Sequence, residues 1–175
     1  MKDLKMIVLE GLKAVTNQAL SIYSLELTGE GLQKLIEGRF PIRRGDQVTL
    51  VLKDPSVRLE EGSDRIGIEL TVSVGFTREA ALDSRWLVDG ELHYDRERAE
   101  FFLYHPDVRS LESGKEPDSS GPLRRSIAKA VLARTFSKLP IYRLKETAAG
   151  HSLARLLLKS VRVRDGKLLI ELGLY

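Results

Sequence analysis

The sequence predicts an α+β fold: a curved antiparallel β-sheet wrapped around a long central α-helix, with shorter additional helices. Three stretches carry that expectation. Arg65–Phe76 alternates without a break, with Ile66, Ile68, Leu70, Val72, Val74 and Phe76 on one face and Arg65, Gly67, Glu69, Thr71, Ser73 and Gly75 on the other. One apolar and one wet face is the pattern of an antiparallel strand. Gly121–Leu139 reads as a helix, opened by Pro122 in its first turn and stopped by Pro140. Leu123, Ile127, Ala130 and Val131 recur at spacings of three and four, and Leu132, Phe136 and Leu139 widen the stripe. A helix apolar over so much of its surface is normally wrapped by other structure. The third stretch, Ser160–Leu174, places Asp165-Gly166 between two β-rich runs, a type I′ hairpin signal.

The remaining elements follow in order. Leu4, Ile7, Val8, Leu12 and Val15 have helical spacing, so residues 1–20 are expected as an N-terminal amphipathic helix preceding a single α+β domain over 21–175. Ser21–Leu27 reads as a strand, and Thr28 as the N-cap of a short helix closed by Gly38. Val48, Leu50 and Leu52 share a strand face, which Asp54-Pro55 interrupts as a bulge or edge before Val57 and Leu59. Trp86–Tyr94 and Glu100–Leu111 form a hairpin turned at Asp95–Arg98, and Ser113–Gly121 is a loop by composition. Pro140–Leu144 is extended, and a weaker helix is expected over Glu146–Leu158, with Leu153, Leu156 and Leu157 inward.

Composition bounds the function. The chain has 175 residues, 42% hydrophobic and 30% charged, as in a folded globular protein. Net charge is +3 but unevenly spread. Pro122–Lys167 holds 12 Lys/Arg against two acids, a net of +10; with Glu171 this leaves −6 for residues 1–121. Such asymmetry serves either internal ion pairing or an anionic surface. There is no cysteine, so neither disulfides nor thiolate metal sites arise. Met1–Leu20 lacks both a secretory leader pattern and a lipidated cysteine; with Met1 as the native start, this implies a cytoplasmic protein.

Motifs for catalysis are missing. His93, His105 and His151 have no second ligand at metal-binding spacing, and no nucleophile elbow, zinc-protease, Walker or dinucleotide pattern occurs. Glu60, Glu61 and Asp64 fit a solvated turn better than a calcium loop. Arg124, Arg125 and Lys129 open a helix, where cations and the helix dipole together suit an anion; a solvated face paired with acidic strands is the simpler account of them. Aromatic content of 6% argues against a nucleic-acid platform.

Leu32–Ile42 (LQKLIEGRFPI), Tyr94–Val108 (YDRERAEFFLYHPDV) and Leu139–Leu172 (LPIYRLKETAAGHSLARLLLKSVRVRDGKLLIEL) resemble the YceB-like bacterial lipoproteins. The likeness is densest at Ile141–Leu144 and Ser160–Leu168. It implies a sheet wrapping a long helix, related to tubular lipid-binding modules, in a periplasmic, membrane-tethered setting with no established enzyme activity and a lipid as ligand. It supplies no catalytic residues.

Together these readings predict a non-enzymatic binding module without cofactor or metal, taking a lipid or other amphipathic molecule at the bacterial cell envelope. The ligand is expected between the helix (Leu123, Ile127, Val131, Phe136) and the sheet (Ile68, Leu70, Val72), with Arg124, Arg125 and Lys129 meeting an anionic membrane surface. No nucleic-acid partner is expected. The rival expectation is an envelope scaffold or assembly protein whose core is filled and which takes no small molecule.

Overall fold

In the computed structural model, residues 5–9, 12–17, 22–45, 48–76, 80–111, 121–144 and 156–174 are described. From the N-terminus come strands β1 (Lys5–Leu9), β2 (Leu12–Asn17) and β3 (Ile22–Thr28), then helix α1 (Gly29–Glu37). Strands β4 (Ile42–Arg44), β5 (Val48–Leu59), β6 (Arg65–Phe76), β7 (Leu82–Asp95) and β8 (Glu100–Ser110) follow. Helix α2 (Gly121–Phe136), β9 (Tyr142–Arg143), β10 (Leu156–Arg164) and β11 (Lys167–Leu174) complete the chain. The strands form two antiparallel sheets, one ordered β1-β2-β3-β11-β10 and the other β4-β5-β6-β7-β8-β9.

This corrects the α+β expectation of a sheet wrapped around a long central helix. The described residues are mostly strand, and the two helices are short, nine and sixteen residues. Each sheet turns its apolar face inward: Leu25, Leu27, Val163, Leu168, Ile170 and Leu172 from the first meet the apolar residues of β5 to β8 in one core. Sheet packing thus does the burying assigned to the helix. Helix α2 lies against β8, β6 and β7 on one side only. Leu123, Arg125, Ser126, Lys129, Ala130 and Arg134 face solvent.

Local chemistry explains the elements that came out as expected. In β6, Ile66, Ile68, Leu70, Val72 and Val74 are buried while Glu69 and Thr71 are half-exposed. A Cβ at Gly67 would sit 3.1 Å from the Arg58 Cβ and 3.3 Å from the Leu87 Cδ1, so its lack of side chain lets β5 and β7 close on β6. Thr28 caps α1, its hydroxyl accepting from Gly31 N at 3.0 Å. The register of β5 shifts between Lys53 and Ser56, where Asp54 adopts φ 52°, so Pro55 does mark a bulge. Gln33 of α1 clasps that bulge, donating to Pro55 O and accepting from Val57 N, both at 2.7 Å. At the β7–β8 turn, Asp95 Oδ1 accepts from the backbone N–H of Glu97 and Arg98. Asp165 and Gly166 both have positive φ, 52° and 69°, the type I′ geometry the dipeptide predicts.

Two further expectations change. The described residues among 1–20 form strands, not an amphipathic helix: β1 and β2 pair antiparallel, with Leu9 opposite Leu12, and β2 extends the first sheet through β3. Ile7, Val8, Val15 and Thr16 are β-branched, and an open edge on β3 rewards pairing over a weak helical pattern. The end of the expected Glu146–Leu158 helix, Leu156–Leu158, belongs to β10; residues 145–155 and the Ser113–Ser120 loop lie outside the described residues.

Candidate amphiphile cleft

Of the residues expected to line a ligand site, all but Leu123 belong to or pack against one hydrophobic core, rather than bordering a cleft together. Ile68, Leu70, Val72 and Phe136 have 0–2% exposure and are packed into the core. Leu123 is 56% exposed, and Ile127 and Val131 are half-buried. The buried line of α2 is Arg124, Ala128, Leu132, Thr135 and Phe136. The helix is therefore rotated by about one residue from the expected stripe, which counted Leu123 and Ala130 as inward. That rotation also removes Arg124 from the expected anion-contact set. Arg124 is buried, its Nη1 donates to Val74 O at 2.6 Å, and its guanidinium lies 4.6 Å from the Phe76 ring centroid. Arg125 and Lys129 remain exposed.

The acids Glu69, Asp83 and Asp89 of the second sheet pair within that sheet, so they do not offset the basic excess of residues 122–167. Glu69 pairs with Arg58 and Arg85, Asp89 with Arg65 and Arg109, and Asp83 with Lys53, all on its outward face. Lys53 and the Ser73 hydroxyl both donate to Asp83 and hold its carboxyl below the ordinary carboxylate value. Asp89 raises Arg65 in the same way, chiefly through its hydrogen bond. These acids are thus occupied by cations of their own sheet rather than by those of α2.

Three segments of the family resemblance meet at Glu100. It is buried and pairs with Arg143 of the IYRL stretch. Arg39 of the GRFP stretch lies close enough to feel both, and burial lowers its guanidinium from the ordinary value. The Glu100–Arg143 pair ties β8 to β9, with Arg39 near enough to act on it electrostatically. It is a structural ion cluster, with Glu100 satisfied by its pairing.

One space beside the helix lies along its C-terminal half. A cleft of about 470 Å³ lies between α2, the segment after it and β4, lined by Arg44, Val131, Arg134, Thr135, Lys138 and Leu139. Val131 and Leu139 give it an apolar floor, and three cations stand at its rim. Arg44, Arg134 and Lys138 make no ion pair with any described residue. An apolar floor with convergent charged groups is the usual make-up of a small-molecule site. A second cleft, about 440 Å³, runs between the turn that ends α2 and the outward side of the β7–β8 hairpin; His93, Arg98, Phe102, Tyr104, Ser137 and Lys138 line it. Lys138 borders both. Of the expected site residues only Val131 touches either cleft. Sequence reading missed Arg44, Lys138 and Leu139 because no period links β4 to the end of α2; the basic count of the last third was the available signal.

Among the described residues no group of three or more His, Cys, Asp or Glu could hold a metal, and no helix is long and apolar enough to cross a membrane.

Comparison with known proteins adds a family. A family model described as "Protein of unknown function (DUF1439)" matches residues 27–167. Among curated proteins none matches the sequence. A solved structure described as "Crystal structure of lipopolysaccharide binding protein" aligns at 11% identity with a TM-score of 0.28, covering 94% of this chain and 43% of that one. The chain thus spans less than half the length of that structure.

Proposed function

The chain belongs to the DUF1439 family, and from that premise we propose that it is a non-enzymatic binding module for an anionic amphiphile, a lipid or lipid-like molecule. The observation that carries this reading is the cleft between α2 and β4. Val131 and Leu139 offer apolar contact, while Arg44, Arg134 and Lys138 stand where an anionic group would sit. Each buried methylene contributes about 0.8 kcal/mol, so a long alkyl chain supplies most of the affinity and the cations select its charged end. The proposed site differs from the expected one: it lies between the C-terminal half of α2 and the edge strand β4, not at the buried contact with β6. The resemblance to the YceB-like lipoproteins supports a cell-envelope setting for such a module.

The test is titration with a fluorescent long-chain carboxylate. Saturable binding displaced by dodecyl phosphate is expected. Replacing Arg44, Arg134 and Lys138 together by glutamine removes three exposed charges worth about 0.5 kcal/mol each, which weakens binding by roughly tenfold without changing the melting temperature. Absence of saturable uptake overturns the reading and favours an envelope scaffold with a filled core.

A further inference from the structure

We infer that the second cleft, over the β7–β8 hairpin, is a subsite for a phosphorylated sugar, forming the polar half of a bipartite site with the apolar cleft along α2. The inference rests on the amphiphile reading and names the head group of its ligand.

The floor of this cleft is aromatic although it faces water. Tyr104 is 52% exposed, its ring 5.7 Å from that of His93 and 4.0 Å from that of His105. Phe102, paired with His93 across the strands, is nearly covered beneath them. An exposed aromatic group beside a concave space offers an apolar face bearing a polar edge, and the flat C–H face of a pyranose matches it. The walls are polar. Ser137 carries a hydroxyl, and Asp95 accepts from the backbone of Glu97 and Arg98 through Oδ1. Asp95 Oδ2 makes a loose ion pair with Arg98 Nε at 3.8 Å and keeps lone pairs that can accept sugar hydroxyls. Phosphate belongs at the junction: Lys138 borders both clefts, Arg134 stands on one side of it and Arg98 on the other. A phosphate at Lys138 would send an alkyl chain toward Val131 and Leu139 and a sugar ring over Tyr104. The nearby carboxylate of Asp95 disfavours a second phosphate and suits a hydroxylated ring.

The experiment compares dodecyl phosphate with its glucosyl phosphodiester, and free glucose 1-phosphate with inorganic phosphate, by titration calorimetry on the full chain. The glucosylated amphiphile should bind about tenfold more tightly than dodecyl phosphate, a gain in the range of one aromatic stacking contact. Tyr104→Ala should erase that gain, and its exposed position makes the variant tolerable to the fold. If the head group can also arrive free, glucose 1-phosphate will bind and move the Tyr104 and Lys138 amide resonances; if it is read only as part of a lipid, these signals will move with the glucosylated amphiphile alone. Equal affinity for the two amphiphiles overturns the sugar subsite while leaving the amphiphile reading standing. Binding of neither amphiphile overturns both. Tighter, Tyr104-dependent binding of adenosine monophosphate than of glucose 1-phosphate overturns the sugar assignment in favour of a nucleotide.

Discussion

Arg124 donates to the Val74 carbonyl at 2.6 Å from a position with only 6% exposure. This bond pins the first turn of α2 to the end of β6 and sets which side of the helix faces the sheet. With Arg124 inward, Ala128, Leu132 and Phe136 follow at steps of four, and Leu123 is carried outward. Arg124→Ala removes a charge-assisted hydrogen bond and the contact over Phe76, and should cost about 2–4 kcal/mol. Arg124→Lys should recover only part of that, because a lysine cannot stack as a guanidinium does. Lys129→Ala, at an exposed position, should change stability by less than about 0.5 kcal/mol. Urea unfolding of the three variants checks the ordering.

The rotation of α2 gives a second outcome. Ala128 is 1% exposed whereas Ala130 faces solvent. Ala128→Leu overfills a packed site and should destabilise by about 1–3 kcal/mol. Ala130→Leu should be within about 0.5 kcal/mol of the parent. Equal losses at both positions would place the helix in a different orientation.

Acid sensitivity should appear at Asp83. Its carboxyl is held below its ordinary value of 3.8, first by the hydrogen bond from Lys53 and then by that from Ser73. A depressed carboxyl stabilises the fold above its unfolded value and loses that contribution as pH falls through the lower, folded one. The melting temperature should therefore decline below about pH 4, and the decline should be shallower in Ser73→Ala. An unchanged acid limb in that variant would show that Ser73 does not hold Asp83.

At the closing hairpin, Gly166 has φ 69° with nothing near the position a Cβ would occupy. Gly166→Ala therefore probes backbone strain alone and should cost about 1 kcal/mol, a fall of roughly 2–4 °C in melting temperature.

Much of the sheet was legible because its signals are local. The alternation of Arg65–Phe76 gave β6 its bounds, Thr28 its cap and Asp165-Gly166 its turn. The errors share a physical cause, which is that tertiary pairing outweighs a short periodic pattern. Lys5–Leu9 and Leu12–Asn17 could be arranged on a helix, yet β3 offered an edge to which β2 could bond. In α2 both the width and the direction of the buried stripe were misread, because a buried arginine satisfied by Val74 O looks from sequence like a solvated one. The α2–β4 cleft was illegible for another reason. Arg44 and Lys138 are far apart in sequence and meet only through the fold.

The most direct measurement of the central claim is where an amphiphile binds. Amide resonances of isotopically labelled protein should be followed during titration with dodecyl phosphate. Perturbations should cluster at Arg44, Val131, Arg134, Thr135, Lys138 and Leu139, with Ile68, Leu70 and Val72 unmoved. Perturbations centred on Ile68, Leu70 and Val72, or none at saturating amphiphile, would contradict a binding site between the C-terminal half of α2 and β4.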